Sequence, residues 1–421
     1  MSGRIGLKKN WNFKKVLGAT LISRFGDAID SIAISWLVYV LTGSKLLMGT
    51  LFALSYVPNL IMTPIGGVVA DVFPKKKTVV LGDFGRGILA VCLGLAYYFQ
   101  VLEVWHLIVF TLLNSTFESF SEPSRGALFP LLVDKEDIVS ARGMSSTIQT
   151  IGTLGGLGAA GMIISFIDIS GAIWVDAATF FASGLLVSII KLNEKINKDV
   201  KLDFNKTKQL MKEGAIYVKG RKVLMYFVMA AAFINFAFVP FNVLRPVYVD
   251  EVLKSGAAGL SLTGMGLMFG MLLGGILVAK LGSKLKIVQT IGLGIFFVGL
   301  AYAALAIPNF VEFSPNIALY FAIGDCLLFG LCIPFIQAPL SGYLMKTTDP
   351  DKMGRVMSIL NLINLSTVPI GGFLVGALGE YFSVSTLFMI MGLMSTLGAV
   401  LFIVNPTIKK EFKEDEIKQS A

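Results

Sequence analysis

The sequence predicts an all-α membrane protein with twelve transmembrane helices in two pseudo-symmetric six-helix bundles, and three observations carry that reading. Hydrophobic residues fill 55% of the 421 positions, charged residues only 15%, and the mean hydropathy is +0.76. A soluble chain of this size would need more charge to cover its surface. Apolar runs of about 20 residues, the length that crosses the hydrocarbon core of a bilayer, recur along the whole chain. They fall into two sets of six whose sequences echo each other.

The first set of spans lies near residues 14–41, 45–71, 78–100, 104–133, 138–167 and 171–190. The second lies near 222–250, 257–280, 286–308, 315–346, 353–379 and 383–404. Residues 191–221 separate them and are rich in charge, so the expected domains are 1–190, a cytoplasmic linker over 191–221, and 222–421 with its tail. The linker can pack as a surface helix near 203–219 against anionic lipid, or remain a solvated tether.

Lys and Arg accumulate on the cytoplasmic side of a membrane. With the N-terminus inside, only Lys45 and Lys254 fall on outward loops, and Arg24, Arg86, Arg125 and Arg245 lie within spans; every other basic residue is cytoplasmic. Both termini are therefore expected in the cytoplasm of a multi-pass cell-membrane protein. No cleavable leader is expected, because the first apolar run is long and charged and has no small-residue cleavage pattern. The net charge of +9 follows from those loops, so it does not indicate nucleic acid as a partner.

Catalytic and metal chemistry find few candidates. Cys92, Cys326 and Cys332 lie inside spans at spacings that fit neither zinc nor a disulfide framework. The single His106 adjoins Trp105 at the outer end of the fourth span, a position suited to an interfacial anchor rather than a ligand or base. With no nucleophile–base pair and no P-loop, neither an enzyme nor direct use of ATP is expected. The text GTLGGLG suggests a dinucleotide loop, but no strand precedes it. No cofactor and no metal are expected.

The internal echoes identify a repeat. GGVVADVFPKKK at 66–77 parallels GGILVAKLGSKLK at 274–286, and SARGMSSTI at 140–148 parallels MGRVMSILN at 353–361. Repeat transporters bind their substrates between the halves near the midplane, so the expected partners are a small molecule and membrane lipid.

Two signatures give the resemblance. GVVADVFPKKK, running from Gly67 through Asp71 to the lysines, resembles the loop between helices two and three of the major facilitator superfamily. Val72 and Pro74 depart from that pattern, which has Arg and Gly there, and Lys75, Lys76 and Lys77 fill its basic positions. An acid at a helix C-terminus opposes the macrodipole, so Asp71 either has an outside partner or is a solvated loop acid. The resemblance implies a latch between Gly67, Asp71, Lys75 and Lys76 and the start of the eleventh span, near Arg355, formed in one conformation and broken in another.

The second signature, GTLGGLGAAG at 152–161, is similar to the fifth-helix pattern of the drug:proton antiporter branch, with Leu157 and Ala160 as departures. Gly152, Gly156 and Gly161 allow close helix approach, which suits sliding and static packing alike. RFGDAIDSIAISWLVYVLTGS, TDPDKMGRVMSI and VPIGGFLVGALGEYF extend the resemblance to macrolide exporters over nearly the whole chain. It implies a proton antiporter, here a monomer, exporting amphipathic drug-like compounds.

Ionisable residues inside spans locate the expected site. At about 100° per residue, Arg24, Asp27, Ser31 and Ser35 share one stripe of the first span, with Asp30 just beyond it. In the fourth span Thr111, Asn114, Ser115, Glu118, Ser121, Glu122 and Arg125 share a single arc. A charge at the bilayer centre costs about 2.5–3.5 kcal/mol on insertion scales, so both stripes are expected to line a hydrated cavity. Within each stripe two acids face one Arg, which leaves a carboxyl free for a proton unless the pairs only hold helices together.

The expected proton-coupling residues are Glu118, Asp27 and Glu122, with Asp30 behind them, Arg24 and Arg125 tuning them, and Asp325 in the second half. Asp176, Arg245 and Glu312 are expected nearer the outer surface. The candidate substrate residues are Ser31, Asn114, Asn235, Asn242, Asn361 and Asn364, of which the last four can equally bridge helices. The alternatives are an exporter of an endogenous siderophore, lipid or peptide, an importer using symport, and a scramblase or sensor that concentrates nothing.

Overall fold

A chain in hydrocarbon has to satisfy its backbone N–H and C=O groups internally, and helices do so within each segment. The computed structural model describes residues 10–192, 194, 212–213, 215–282, 287–311, 313–348 and 350–405. Side chains at 63–68, 70–72, 222–223, 227, 346–347, 350–351, 354–355, 358 and 364 lie outside the description. Much of the surface helix expected near 203–219 lies outside it as well, although 215–220 is helical.

In the first half the helices are α1 (Trp11–Thr42), α2 (Lys45–Val72), α3 (Lys75–Tyr98), α4 (Val104–Leu132) and α5 (Ile138–Ser188). In the second they are α6 (Lys222–Val247), α7 (Gly256–Leu281), α8 (Ile287–Ala304) and the single turn α9 (Ile307–Phe310). They are followed by α10 (Pro315–Thr347), α11 (Pro350–Tyr381) and α12 (Val384–Val404). Among the described residues, 10 helical segments have the length and hydropathy to cross a membrane. The α4 helix is 29 residues long but carries Glu118, Glu122 and Arg125 in its length.

Local chemistry sets the ends. Asn10 caps α1 by accepting the Phe13 N–H at 3.0 Å, and Gly43 closes it at φ 59°, a backbone angle that a side chain would resist. Ser383 caps α12 through the Thr386 N–H. His106 sits in a capping box at the start of α4, its Nδ1 accepting the Glu103 N–H at 3.0 Å while its ring stacks on Trp105. That placement agrees with an end-of-helix role.

The 51 residues of α5 would span about 75 Å if continuous, more than twice a hydrocarbon core. The helix breaks at Asp168, where φ is 77° and ψ 174°. The break separates two arms in the gap between the fifth and sixth spans read from the sequence. Tyr97 donates its hydroxyl to Asp168 at 3.0 Å, tying the break to the end of α3.

The chain divides into two compact units, one formed by Met1–Gly43 with Leu51–Leu202, the other by Ser44–Thr50 with Asp203–Ala421. In the first, α1 packs against both arms of α5. A Cβ on Gly152 would lie 2.7 Å from the Leu21 carbonyl oxygen, and one on Gly156 would collide with the Phe25 carbonyl. Gly161 is buried in the same arm. From the other arm, Asp176 and Thr179 press on Gly26 of α1. Beyond this contact Phe13, Val16, Val79, Leu128, Phe129 and Val187 form an apolar cluster.

In the second unit α7 meets α10 through glycines, Gly266 and Gly270 facing the Ile323 and Leu327 carbonyls and Gly330 facing Leu267 in return. Phe241, Tyr302, Phe329 and Phe388 form an aromatic core with ring centroids 5.2–6.5 Å apart. The first turn of α2 belongs to this unit. Glu380 of α11 accepts hydrogen bonds there from the Leu46 N–H at 2.9 Å and the Ser44 hydroxyl at 3.0 Å.

Gly156→Val should force α1 away from α5 and cost about 1–3 kcal/mol, the usual penalty for overpacking. Gly143→Ala, whose new Cβ meets nothing within 4 Å, should leave stability near wild type. Thermal unfolding of the two purified variants in detergent checks the contrast.

Candidate functional site

Four helices of the first unit bring their ionisable side chains to one place. α1 supplies Arg24, Asp27 and Asp30; α3 supplies Asp83 and Arg86; α4 supplies Glu118, Glu122 and Arg125; the second arm of α5 supplies Asp176. The close α1–α5 approach makes this possible, since Gly26 precedes Asp27 and lets the second arm of α5 pack against α1 at that level.

Arg24 bridges α1 and α4. Its Nη2 lies 2.6 Å from Glu122 Oε2 and its Nη1 3.2 Å from Asp27 Oδ2. Arg86 reaches Asp27 from the other side, with Nη2 2.8 Å from Oδ1, while its Nε donates to Asn114 Oδ1 at 2.8 Å. The Arg86 N–H direction misses Asp27 Oδ1, so that oxygen accepts no aligned hydrogen bond. The same guanidinium lies over the Phe180 ring at 4.1 Å, a geometry that favours a cation.

A second, drier pair lies beside the first. Asp83 is 1% exposed and takes Arg125 Nη2 on Oδ1 at 2.6 Å and the Ser183 hydroxyl on Oδ2 at 2.7 Å. Arg125 also approaches Glu122, Nε to Oε1 at 3.7 Å. Glu122 is 34% exposed and so forms the open end of the network.

The carboxyls of Asp27, Asp30, Asp83, Glu118, Glu122 and Asp176 outnumber the guanidiniums of Arg24, Arg86 and Arg125 two to one. Asp30 and Glu118 make no ion pair among the described residues, although Arg86 and Asp27 lie within electrostatic range of both. Two acids stand to one Arg on α1 and on α4, as the sequence has it, but the pairs also run across helices. Asp27 is shared by Arg24 and Arg86, and Glu122 by Arg24 and Arg125, so the balance is struck across helices.

Other sequence-derived candidates stand elsewhere. Asn114 is engaged by Arg86, and Ser31 is exposed. In the second unit Asp325 is 7% exposed with Oδ2 unpartnered among the described residues, and Arg245 lies 5.4 Å over the Phe241 ring. Asn235 donates to the Ala231 carbonyl of its own helix at 2.8 Å, while Asn242 and Asn361 are exposed. The side chain of Asn364 and residue Glu312 lie outside the described residues.

Of the expected latch, the side chains of Gly67, Asp71 and Arg355 also lie outside the description. Glu194 of the linker accepts the Lys75 and Lys76 N–H groups at 2.6 and 2.9 Å, and Lys76 Nζ donates to the Ile190 carbonyl. Asp176, expected nearer the outer surface, is 1% exposed against Gly26, at the level of Asp27. Asp176 lies two turns beyond the α5 break at Asp168.

Residues 16–368 match the profile of the Major Facilitator Superfamily. The chain belongs to this family. Family members are secondary transporters, so the chain is a multi-pass membrane protein that handles a small-molecule substrate. The chain is 24% identical over 408 residues to Macrolide efflux protein A of Streptococcus pyogenes, covering 96% of this chain and 98% of that protein. It is 23% identical over 402 residues to Multidrug efflux pump Tap of Mycolicibacterium fortuitum, covering 94% and 96%. Its fold is similar to the crystal structure of nucleoside transporter NupG, with TM-score 0.77 at 14% identity, over 93% of this chain and 98% of that one.

Arg125→Met strands the buried Asp83 carboxylate and should cost about 3–5 kcal/mol. Pairing it with Asp83→Leu should recover much of that loss, because both charges then leave the interior together. A double-mutant cycle on the thermal stability of the purified transporter reads the coupling.

Proposed function

We propose that this transporter exports amphipathic drug-like compounds in exchange for protons, by alternating access of two six-helix halves joined by the 191–221 linker. One observation carries the reading: the excess of carboxyls over guanidiniums inside the helices of the first unit. With every acid ionised the cluster would hold a net negative charge in a medium that penalises even one. Protons supply the missing positive charge.

Asp30 and Glu118, which make no ion pair among the described residues, are the direct proton carriers of this reading, and Asp27 and Glu122 exchange partners as the charge changes. Arg24, Arg86 and Arg125 hold the acids in reach of one another. Asn114 positions Arg86 rather than touching substrate. Asp325 is the proton-responsive acid of the second half.

The relatives that export macrolides and other drugs support the substrate class. The one-sided distribution of Lys and Arg supports a cell-membrane location with both termini in the cytoplasm. In this reading the chain acts as a monomer, and Asp71 latches to the start of α11 near Arg355 in one of its conformations. The energetics suffice. A proton entering down 100 mV releases about 2.3 kcal/mol, and each pH unit adds about 1.4 kcal/mol. Together they can hold a neutral solute at a gradient of roughly five-hundredfold.

Reconstituted into proteoliposomes, the wild type should accumulate a macrolide only when a pH gradient is imposed. Glu118→Gln should lower the ratio of gradient-driven to downhill uptake at least tenfold. Accumulation indifferent to the gradient or to a protonophore would overturn the reading.

A further inference from the structure

Like Asp30 and Glu118, Asp176 has neither an ion pair nor a hydrogen bond to its carboxylate oxygens among the described residues, but of these three acids it is the one whose two oxygens are both sealed from solvent. It is 1% exposed, and a Cβ on Gly26 of α1 would lie 3.0 Å from its Oδ1. The Thr179 hydroxyl beside it donates to the Asp176 backbone carbonyl at 2.7 Å and so does not serve the carboxyl. The charged groups that face it are Asp30 and Asp27 from α1 and Arg86 from α3.

Arg86 decides its state. The guanidinium lies over Phe180, one turn beyond Asp176 on the same helical face, while it pairs with Asp27 of α1. It is committed to Asp27 at 2.8 Å, but without an aligned hydrogen bond to that oxygen. A sealed carboxylate with no donor and no committed cation is strongly disfavoured, and its simplest remedy is to keep its proton. The geometry points to Asp176 as an internal proton-holding residue that exchanges with Asp27 through Arg86.

The exchange balances. In one state Asp176 carries the proton as a neutral carboxyl and Arg86 pairs with ionised Asp27. In the other, the proton has left the Asp176 hydroxyl oxygen for an Asp27 oxygen, and Arg86 pairs with ionised Asp176. No bond other than the two O–H bonds changes, and the total charge is constant. The sealed acid lets α1 carry a neutralised Asp27 while the first unit as a whole retains its charge. This inference rests on the proton-coupled reading of the site.

Two measurements test it. Infrared difference spectra of purified wild type in H2O and D2O at neutral pH should contain the C=O stretch of a protonated carboxyl, absent from Asp176→Asn and displaced in Asp176→Glu. In proteoliposomes with a macrolide as probe, Asp176→Asn should lower the ratio of gradient-driven to downhill uptake at least tenfold. If the wild type responds to the gradient and Asp176→Asn keeps both the band and a ratio within twofold of wild type, the inference falls alone. If the wild type ignores the gradient, the coupled reading falls and this inference with it. Should Asp176→Asn fail to fold, the Asp176→Glu band decides, since an unmoved band assigns the proton elsewhere.

Discussion

The structure depends on keeping charge inside a membrane-spanning bundle without exposing it to hydrocarbon. Arg86 shows how the constraint is met. Its guanidinium has an acid of α1, an amide of α4 and an aromatic face of α5 around it, so one cation ties four helices. Removing any one of those contacts would leave the others partly compensating. That redundancy separates a charge network from an isolated buried pair, whose desolvation can exceed its attraction. Asp83 with Arg125 is closer to the isolated case, and there Ser183 supplies the additional donor.

The network is built on small residues. α1 can lie between both arms of α5 only because Gly152, Gly156 and Gly26 remove side chains at the contact, and the packing gain in lipid comes from close approach rather than from expelled water. Close approach also reduces the distance over which the acids of α1 and α5 sense each other. The glycines that the sequence marks as packing elements therefore tune the electrostatics of the site.

Much of this was legible in the sequence. The fold followed from span length, and the stripes on α1 and α4 followed from helical periodicity, because several polar residues on one face leave a pattern. Asp83, Arg86 and Asp176 left weaker traces. Each lies in a run that is otherwise apolar, where a lone charge has no period. Asp83 and Arg86 are three apart, and two ionisable groups on one face of an apolar helix were a usable signal. Which acid pairs with which arginine was not available, since it depends on how α3 and α5 dock. Asn235 leaves its role open to a sequence reading for a related reason: an Asn within a span can donate to the carbonyl four residues back.

The two units have diverged in what they bury. The second is held by glycine contacts and by a core of Phe241, Tyr302, Phe329 and Phe388, with Asp325 and Arg245 as its interior charges among the described residues. Among the described residues, ionisable chemistry is concentrated in the first unit and aromatic packing in the second. Such an asymmetry suits a division of labour. Shared partners suit the first unit, where many charges have to be balanced against one another across helices, whereas the second, with few interior charges to balance, is held by aromatic packing that needs no counter-charge.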